Sequence, residues 1–281
     1  MEIKDNQAVW LDFSHPNYQR WLRGRESANE RAIIVNKIIS SDNICKGLRI
    51  LDVGSGEGST SAFFSESNWV VSYDLSLIRL KRQRQNFPAL SLINGKAETL
   101  PFQNSSFDLI ILQDVIEHIP GRDSLVNEIK RVLKNSGFIY LSTPNRFSIM
   151  NIISDPHWGI PLLSLFNRNG IKRYFLKHFR KKDLLREDLS QLLSLREIYQ
   201  LFNDQIININ TKEVINLLSE DYKGIIWSNF HVKLYCLLKK SGIILIIKYI
   251  VNNKPGFINK YLTPTFFLII KNNPFSNDSI R

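Results

Sequence analysis

Apolar runs alternate with helical segments along the first half of the chain, and this alternation constrains the fold more than any other feature. Five runs have the length and composition of buried strands, at residues 48–53, 69–74, 90–94, 107–112 and 137–142. Between them lie segments with helical patterns, at 58–67, 76–86 and about 116–134. An alternation of this kind predicts an α/β protein with a doubly wound parallel sheet, covered by helices on both faces.

Segments on both sides of this core complete the prediction. Residues 16–45 are predicted to be helical, because apolar side chains recur on one stripe at Ala28, Ala32, Val35, Ile38 and Ile39. After Pro144 the alternation stops, and a long mixed segment precedes a helix predicted at 229–241. Two strands are then predicted at 242–251 and 263–271. The short link between them, containing KPGF, predicts an antiparallel hairpin.

Composition narrows the class of protein. The 281 residues are 43% hydrophobic and 22% charged, as in globular proteins, and apolar runs such as 243–247 are too short to span a bilayer. The first residues lack the basic-then-apolar layout of a signal peptide. Cys45 and Cys236 show no CxxC spacing, which disfavours a disulfide scaffold or a zinc site. We therefore expect a cytoplasmic protein.

The chain is strongly basic, with a formal net charge of +11. This balance favours acidic partners such as nucleic acid, anionic lipid or phosphorylated substrates. A solvated basic surface explains the same charge, so composition alone leaves both interpretations open.

The stretch ILDVGSGEGST, residues 50–60, ends the first predicted strand in a glycine-rich turn that enters a helix. This is the plan of a nucleotide-binding βα unit. Ser59 stands where a pyrophosphate-binding G-x-G-x-x-G fingerprint has its third glycine. Carboxylates at Asp52 and Glu57 would repel a diphosphate, at about 1–4 kcal/mol each, but suit a ligand that carries an ammonium and a sulfonium. The turn therefore disfavours phosphate.

The second predicted strand ends in Tyr73 and Asp74, 20 residues after Gly54. A carboxylate at this place can accept hydrogen bonds from both ribose hydroxyls of an adenosine. The position serves dinucleotides and sulfonium cofactors alike, so it indicates a nucleoside without choosing between them.

Five pieces of the sequence together resemble the class I S-adenosylmethionine-dependent methyltransferases. They are LDVGSGEG (51–58), VSYDLS (71–76), NGKAETLPF (94–102), SFDLIILQDVIEHI (106–119) and VLKNSGFIYLSTPN (132–145). They cover about residues 48–145 and resemble most the subgroup that methylates small molecules and ubiquinone-like or glycan-like acceptors. The resemblance implies a Rossmann-like, seven-stranded, mostly parallel sheet with an antiparallel C-terminal hairpin and an insertion after strand 5.

The resemblance also implies how a single methyltransferase domain, residues 1–281, is organised. A helical cap (1–46) precedes the cofactor-binding core (47–143). An acceptor-side insertion (144–228) follows, and a closing helix and hairpin (229–281) end the domain.

The resemblance implies that the cofactor is S-adenosylmethionine and that the product is S-adenosylhomocysteine. No metal is expected. The resemblance implies that the methionine end of the cofactor is lined by Asp52, Gly54, Ser55 and Gly56. It also implies that Asp74, with Leu75 beside it, holds the ribose. Lys96 and Ala97 are then expected to flank the adenine, and Gln113 to border the methyl group. The family commonly has an acidic residue where this chain has Lys96. An ammonium cannot accept the adenine amino proton.

Methyl transfer from a sulfonium is an in-line displacement, so positioning is expected to be the main catalytic effect. A general base is needed only where the nucleophile must lose a proton. The candidate bases are His118, predicted at the start of the helix after the fourth strand, and His157 in DPHWG. The structural alternatives are a histidine satisfied by Glu117 and a turn residue between Pro156 and Gly159.

The insertion is expected to select the acceptor. Apolar contacts are predicted from Trp158, Ile160, Leu162, Leu163, Leu165 and Phe166. The stretch KRYFLKHFRKK (172–182) interleaves basic and aromatic residues. This pattern favours a small-molecule, glycan or lipid-linked acceptor, or peripheral contact with an anionic membrane surface. The alternative is an amphipathic helix whose Tyr174, Phe175 and Phe179 pack inward.

Other functions remain open. The charge prompts an RNA or DNA methyltransferase, but the chain has LQDVIE where amino-methylating nucleic-acid enzymes resemble (Asp/Asn)-Pro-Pro-(Tyr/Phe), and neither cysteine lies near that strand. Nucleic acid is therefore the disfavoured partner. Lys96 prompts a non-catalytic S-adenosylmethionine-binding module, and the glycine-rich turn leaves a nicotinamide-dependent dehydrogenase as a further alternative.

Overall fold

A seven-stranded sheet lies at the centre of the structure, a computed structural model that describes residues 9–41, 45–184, 189–226 and 228–273. Along the chain the strands are β1 (Arg49–Val53), β2 (Trp69–Asp74), β3 (Ser91–Asn94), β4 (Phe107–Gln113), β5 (Leu133–Pro144), β6 (Gln205–Ile209) and β7 (Thr265–Asn272). Their spatial order is β3-β2-β1-β4-β5-β7-β6. Strands β1 to β5 are parallel, and β7 runs antiparallel to both β5 and β6.

Helices cover both faces of this sheet. Those of the first half are α1 (Tyr18–Glu26), α2 (Ala28–Ser40), α3 (Ser59–Ser65), α4 (Leu77–Asn86), α5 (Arg122–Val132) and α6 (Ile149–Ile153). A π-helical stretch, Ile171–Leu176, joins α7 (Arg168–Gly170) to α8 (Lys177–Phe179). The remaining helices are α9 (Leu195–Leu201), α10 (Thr211–Glu220), α11 (Asn229–Lys240) and α12 (Ile243–Ile250).

The core consists of two apolar layers, one on each face of the sheet. Leu51 and Ile110 contribute to the layer that includes Ile129 of α5. Their chain neighbours Ile50 and Ile111 contribute to the opposite layer, with the buried face of α2. Successive side chains of a strand point to opposite faces, so strands covered on both sides must be apolar throughout. This explains the unbroken apolar runs in the sequence.

The α/β class and the seven-stranded, mostly parallel sheet are confirmed. The N-terminal helical region divides at Ser27 into α1 and α2. The α2 stripe buries Ala32, Val35 and Ile38 as predicted.

The strand predicted at 242–251 is wrong, because this segment forms α12. Gly242 adopts φ 73° and starts the helix, and within α12 only Ile244 is buried. The antiparallel partner of β7 is instead β6, which lies within the segment assigned to the insertion. The sheet therefore ends in an antiparallel pair, as predicted, but α10, α11 and α12 separate its two strands along the chain.

Among the described residues, no helix combines the length and the apolar composition needed to cross a membrane.

Candidate active site

The turn between β1 and α3 is built on glycines with positive φ. Gly54, Gly56 and Gly58 adopt φ values of 71°, 60° and 88°. A Cβ atom on Gly54 would lie 2.4 Å from Cγ2 of Val115, so this position has no room for a side chain. At Gly56 a Cβ would meet only the Arg79 guanidinium, at 3.9 Å. The turn, which we call the glycine corner (residues 54–58), is closed on the side of β4 and open at Gly56.

Asp74 joins the glycine corner to the end of β2. One carboxylate oxygen accepts a hydrogen bond from the Gly56 N–H at 2.8 Å, and the other accepts from the Ser76 N–H at 2.7 Å. The residue is 5% exposed. Each carboxylate oxygen has a second lone pair, so the group retains the capacity to accept from a ligand hydroxyl. Leu75 follows at the surface and is 62% exposed.

Asp52, the last but one residue of β1, is only 2% exposed and accepts a hydrogen bond from Oγ of Ser61 at 2.6 Å. Burial raises the pKa of Asp52 to about 7, the negative charge of Asp74 adds to this, and the hydrogen bond from Ser61 opposes it. Asp52 thus gains its charge near neutral pH, and a nearby cation would favour the ionised form.

Glu57 is paired with Arg82 of α4, with Nε 3.0 Å from Oε1. Its charge is therefore offset within the protein. The predicted repulsion of a diphosphate rests on Asp52 and Asp74 rather than on Glu57. Gln83 also braces the corner, since its amide nitrogen donates to Oγ of Ser55 at 2.8 Å and to the Gly56 carbonyl.

The turn after β3 lies beside the end of β2. The hydroxyl of Tyr73 donates to the carbonyl of Lys96 at 3.0 Å, and Ala97 is buried. The Lys96 side chain is exposed. Because the anchoring of this turn uses the Lys96 backbone, the departure from an acidic residue does not disturb the local structure.

Gln113 ends β4 and accepts a hydrogen bond from the hydroxyl of Thr60 in α3 at 2.9 Å. The next residue, Asp114, has a φ of 56°, which is unusual for a residue with a side chain. Its carboxylate accepts from Arg31 of α2 at 2.6 Å and from Oγ of Ser142 at 3.0 Å. These contacts hold the strained residue and place α2 over the carboxyl end of β4.

The structure brings the two candidate bases together, although the sequence treats them as rivals. The ring centroids of His118 and His157 are 5.1 Å apart, in an edge-to-face arrangement. His118 lies in the turn after β4, and the helix that it was predicted to begin starts at Arg122. His157 lies in the turn after α6.

Glu117 lies beside this histidine pair and is fully buried. One carboxylate oxygen accepts from the Thr143 hydroxyl at 2.9 Å, and the other lies 3.8 Å from Nε2 of His157. Burial, and then the negative charge of Asp114, raise the pKa of Glu117 well above its ordinary value. The sequence shows Glu117 only as a neighbour of His118, because the separation of 40 residues between Glu117 and His157 along the chain hides their proximity in space.

Glu117, His118 and His157 also offer ligand atoms that all lie within 4.8 Å of one another. Imidazole and carboxylate are common ligands of transition metals. The absence of a metal therefore remains a prediction to be tested.

Asp155 fixes the turn that carries His157. One of its carboxylate oxygens accepts from the backbone N–H groups of His157 and Trp158, both at 2.8 Å. Arg20 of α1 donates to the carbonyls of Asp155 and Pro156 at 3.1 and 2.7 Å. An aspartate before a proline is a recognised turn former, so the DPHW sequence carries a signal for this local structure.

Arg168, at the start of α7, connects the segment after β5 to the loop after β4. Its guanidinium donates to the carbonyls of Glu117 and Ile119 at 2.7 and 2.9 Å. The backbone N–H of Gln191 donates to the same Glu117 carbonyl at 2.8 Å. The loop that carries Glu117 and His118 is thus held by residues far along the chain.

The predicted acceptor-side residues differ in exposure. Trp158 and Leu163 are buried, whereas Leu162 and Phe166 are exposed. In the stretch 172–182, Phe175 packs on Trp158 with ring centroids 5.5 Å apart. Tyr174 and Phe179 are exposed, so the alternative in which all three aromatic residues pack inward is wrong for these two.

The chain is similar in sequence and in fold to known methyltransferases. Residues 51–141 match the family model described as a methyltransferase domain. The chain is similar to a fatty-acid O-methyltransferase of Mycolicibacterium smegmatis, with 26% identity over 165 residues, 56% of this chain and 58% of that protein. It is also similar to a glycine/sarcosine/dimethylglycine N-methyltransferase of Actinopolyspora halophila, with 25% identity over 74% of this chain and 37% of that protein.

The chain thus spans between 37% and 58% of the length of these curated relatives. A solved S-adenosylmethionine-dependent methyltransferase from Mesorhizobium loti superposes with a TM-score of 0.52 and 14% identity, covering 83% of this chain and 94% of that one. This likeness shows the fold. Residues 51–141 thus match a methyltransferase domain, and the chain has the fold of a solved S-adenosylmethionine-dependent methyltransferase.

Proposed function

We propose that this protein transfers the methyl group of S-adenosylmethionine to a small-molecule, glycan or lipid-linked acceptor. The observation that carries the proposal is the juxtaposition of two features at the carboxyl edge of the sheet. The glycine corner with Asp74 follows β1 and β2, and the Glu117–His118–His157 cluster follows β4 and β5. Ligands of open α/β sheets lie in the crevice at this edge, where the strand order reverses.

In this proposal the cofactor lies across the glycine corner. The open side at Gly56 admits the ligand, and Asp74 accepts hydrogen bonds from the ribose hydroxyls. The exposed Leu75 covers one face of the adenine, and the backbone of Ala97 serves its edge. Asp52 in its ionised form favours the ammonium and sulfonium charges.

The methyl-transfer step balances without an added reactant. A lone pair of the acceptor atom forms a bond to the methyl carbon while the carbon–sulfur bond breaks, and the sulfonium becomes the neutral thioether of S-adenosylhomocysteine. Where the acceptor is a hydroxyl, its proton passes to an imidazole. The protein contributes mainly by holding donor and acceptor in line.

We propose His157 or His118 as the group that takes this proton. The 3.8 Å distance from Glu117 to Nε2 of His157 supports His157, because a protonated imidazole at this distance favours the ionised form of Glu117 and is stabilised by it in turn. His118 lies against the same ring and is the second candidate. Glu117 is a positioning residue in this arrangement.

The class of acceptor is supported by exposed side chains in the segment after β5 and by the names of the relatives. Exposed apolar side chains at Leu162 and Phe166, with the basic stretch 172–182 beyond them, suit a molecule with an apolar part and an acidic group. One relative is named for fatty acids and another for glycine and its methylated forms. Since the chain lacks CxxC spacing, the proposal also places the reaction in the reducing cytoplasm.

A labelled-methyl assay tests the proposal. The full chain is incubated with labelled S-adenosylmethionine and with lipid, glycan, small-molecule and nucleic-acid fractions of cells. We expect label in one of the first three. Label confined to nucleic acid would show the competing activity. Binding of S-adenosylhomocysteine with no transfer to any fraction would indicate a non-catalytic binding module.

The base is tested with the identified acceptor by His157→Gln and His118→Gln, with His178→Gln as a matched control because His178 is exposed. Loss of the general base lowers kcat by about 10²–10⁴-fold and leaves S-adenosylhomocysteine affinity unchanged. A chelator is expected to leave kcat unaltered. Loss of activity that a divalent cation restores would show a metal at the cluster instead.

A further inference from the structure

Helices α11 and α12, and the segment after them with the π-helix Ile258–Leu262, carry nine large exposed apolar side chains. We call this the α12 surface; its residues are Leu237, Ile243, Leu245, Ile246, Tyr249, Ile250, Phe257, Tyr261 and Leu262. Tyr249 is 95% exposed and Leu245 is 63% exposed. Exposed apolar residues are normal when scattered singly, but a contiguous group of this kind marks an interaction surface.

Basic residues predominate around the α12 surface. Between Asp221 and Asp278 the chain contains no acidic residue. Within 229–262 it carries Lys233, Lys239, Lys240, Lys248, Lys254 and Lys260. The acidic residues that approach from α10 and its C-terminal end are Glu213, which accepts from Asn253 at 2.9 Å, Glu220, whose carbonyl accepts from Lys239 at 3.3 Å, and Asp221, whose negative charge acts on Lys239. Lysines therefore outnumber carboxylates in the segment that carries the apolar face.

This combination selects among occupants. Two copies of the chain would bring like charges together, which costs energy. Nucleic acid satisfies the lysines but offers no partner for aliphatic side chains such as Leu245 and Ile246. An anionic bilayer satisfies both, because its phosphates attract lysine while the boundary below them accepts apolar side chains.

The α12 surface ends beside the candidate active site. The segment after it enters β7, whose first residue, Thr265, pairs with Pro144 at the carboxyl end of β5. Asn145 donates through its side-chain amide to the carbonyls of Lys260 and Thr263 at 3.0 and 2.9 Å. Asn151 of α6 donates to the Pro264 carbonyl at 2.6 Å. The surface is thus anchored to the sheet edge at which the acceptor is proposed to bind.

We propose that the α12 surface docks this protein on the surface of an anionic lipid bilayer. The apolar side chains enter the headgroup boundary, and the surrounding lysines contact lipid phosphates. Docking brings the acceptor edge to the membrane, so a lipid acceptor reaches the site without crossing water. This last step rests on the proposed function, whereas docking itself does not.

Vesicle flotation of the full chain tests docking. The probes are vesicles of phosphatidylcholine and vesicles of phosphatidylcholine mixed with phosphatidylglycerol. We expect flotation with the mixed vesicles that weakens as salt rises. Leu245→Ser/Tyr249→Ser is expected to weaken binding by about tenfold to a hundredfold, because two apolar side chains no longer enter the boundary. Lys240→Glu/Lys254→Glu is expected to weaken binding to the anionic vesicles.

The matched control is Ile206→Ser, an exposed isoleucine of β6 outside the α12 surface, which is expected to bind as the unaltered chain does. Thermal unfolding confirms that every variant is folded. Absence of flotation, or flotation that the α12 variants leave unchanged, would overturn the proposal. So would a dimer in light scattering that Leu245→Ser/Tyr249→Ser dissociates, since the surface would then bind a second copy.

Failure of the proposed function can be distinguished from failure of membrane docking. S-adenosylhomocysteine binding by the same variants reports on the cofactor site without a membrane. A chain that floats but transfers no methyl group keeps the docking surface and loses the proposed reaction.

Discussion

The glycine corner and the α12 surface differ in how far their residues are packed against the rest of the chain. At the corner, the backbone conformation is fixed by positive φ at Gly54, Gly56 and Gly58 and by the hydrogen bond from Gly56 to Asp74. At the α12 surface, large apolar side chains such as Tyr249 and Leu245 have no cover within the described part of the chain. The corner is stabilised by contacts within the chain, whereas the apolar side chains of the α12 surface would be buried only by a partner.

This difference separates the two tasks that we propose for the protein. A cofactor used in every turnover is served by a site that exists before the ligand arrives. Exposed apolar residues weaken solubility and contribute little to the stability of an isolated chain, so their presence indicates a use outside the fold. Substitutions at the corner are therefore expected to change stability and cofactor affinity together, whereas those at the α12 surface change neither.

The largest expected effect is that of Gly54→Ala. Its Cβ would clash with Val115, and its φ of 71° is strained for alanine, so the free energy of unfolding is expected to fall by about 2–5 kcal/mol. Denaturant unfolding measures the change. Adding Val115→Ala removes the clash but not the strain, and is expected to restore part of the loss.

Gly256→Ala is the control for this variant, because a Cβ there has no neighbour within 4 Å. Equal effects of Gly54→Ala and Gly256→Ala would contradict the description of the corner as tightly packed.

A smaller effect is expected from Asp74→Asn. Removing the charge weakens hydrogen bonds to the Gly56 N–H and to the proposed ribose hydroxyls, which is expected to reduce S-adenosylhomocysteine affinity by about 1–3 kcal/mol. Isothermal titration calorimetry measures this. Asp123→Asn, at an exposed aspartate of α5, is the control. Full S-adenosylhomocysteine affinity in a folded Asp74→Asn protein would contradict the proposed contact between Asp74 and the ribose.

A further effect concerns pH. Burial raises the pKa of Asp52 from its ordinary value near 3.8 to about 7. The native state therefore keeps a proton that the unfolded chain loses, and stability present at low pH declines as pH rises from about 4 to 7, by at most about 1.4 kcal/mol per pH unit.

Asp52→Asn is expected to flatten this part of the profile, measured as the free energy of unfolding against pH. Parallel profiles for the variant and the unaltered chain would mean that Asp52 is ionised in the native state throughout.

The sequence is informative where structure follows from local pattern. Strands β1 to β4 and the turn at Gly54 were predicted within about two residues, because apolar runs and glycine spacing are local signals. The segment 242–251 was assigned wrongly, because a short run of isoleucines has no periodicity that separates a strand from a helix. Its true neighbour in space, α10, is distant in the chain.

The candidate site divides in the same way. Asp52 and Asp74 were predicted as site residues from their places beside predicted strand ends, whereas the proximity of Glu117 to His157 was not predicted. Its contact with His157 depends on the turn fixed by Asp155 and Arg20, and no local pattern joins residues so far apart. A single sequence does not carry such contacts in its short-range spacing.

The central claim is that the glycine corner, with Asp52 and Asp74 beside it, binds a positively charged sulfonium nucleoside rather than a dinucleotide. Titration calorimetry of the full chain with S-adenosylmethionine and with reduced nicotinamide adenine dinucleotide tests it most directly. The account predicts heat of binding for S-adenosylmethionine that Asp74→Asn diminishes, and none for the dinucleotide. Binding of the dinucleotide that Asp74→Asn diminishes, with no heat from S-adenosylmethionine, would contradict it.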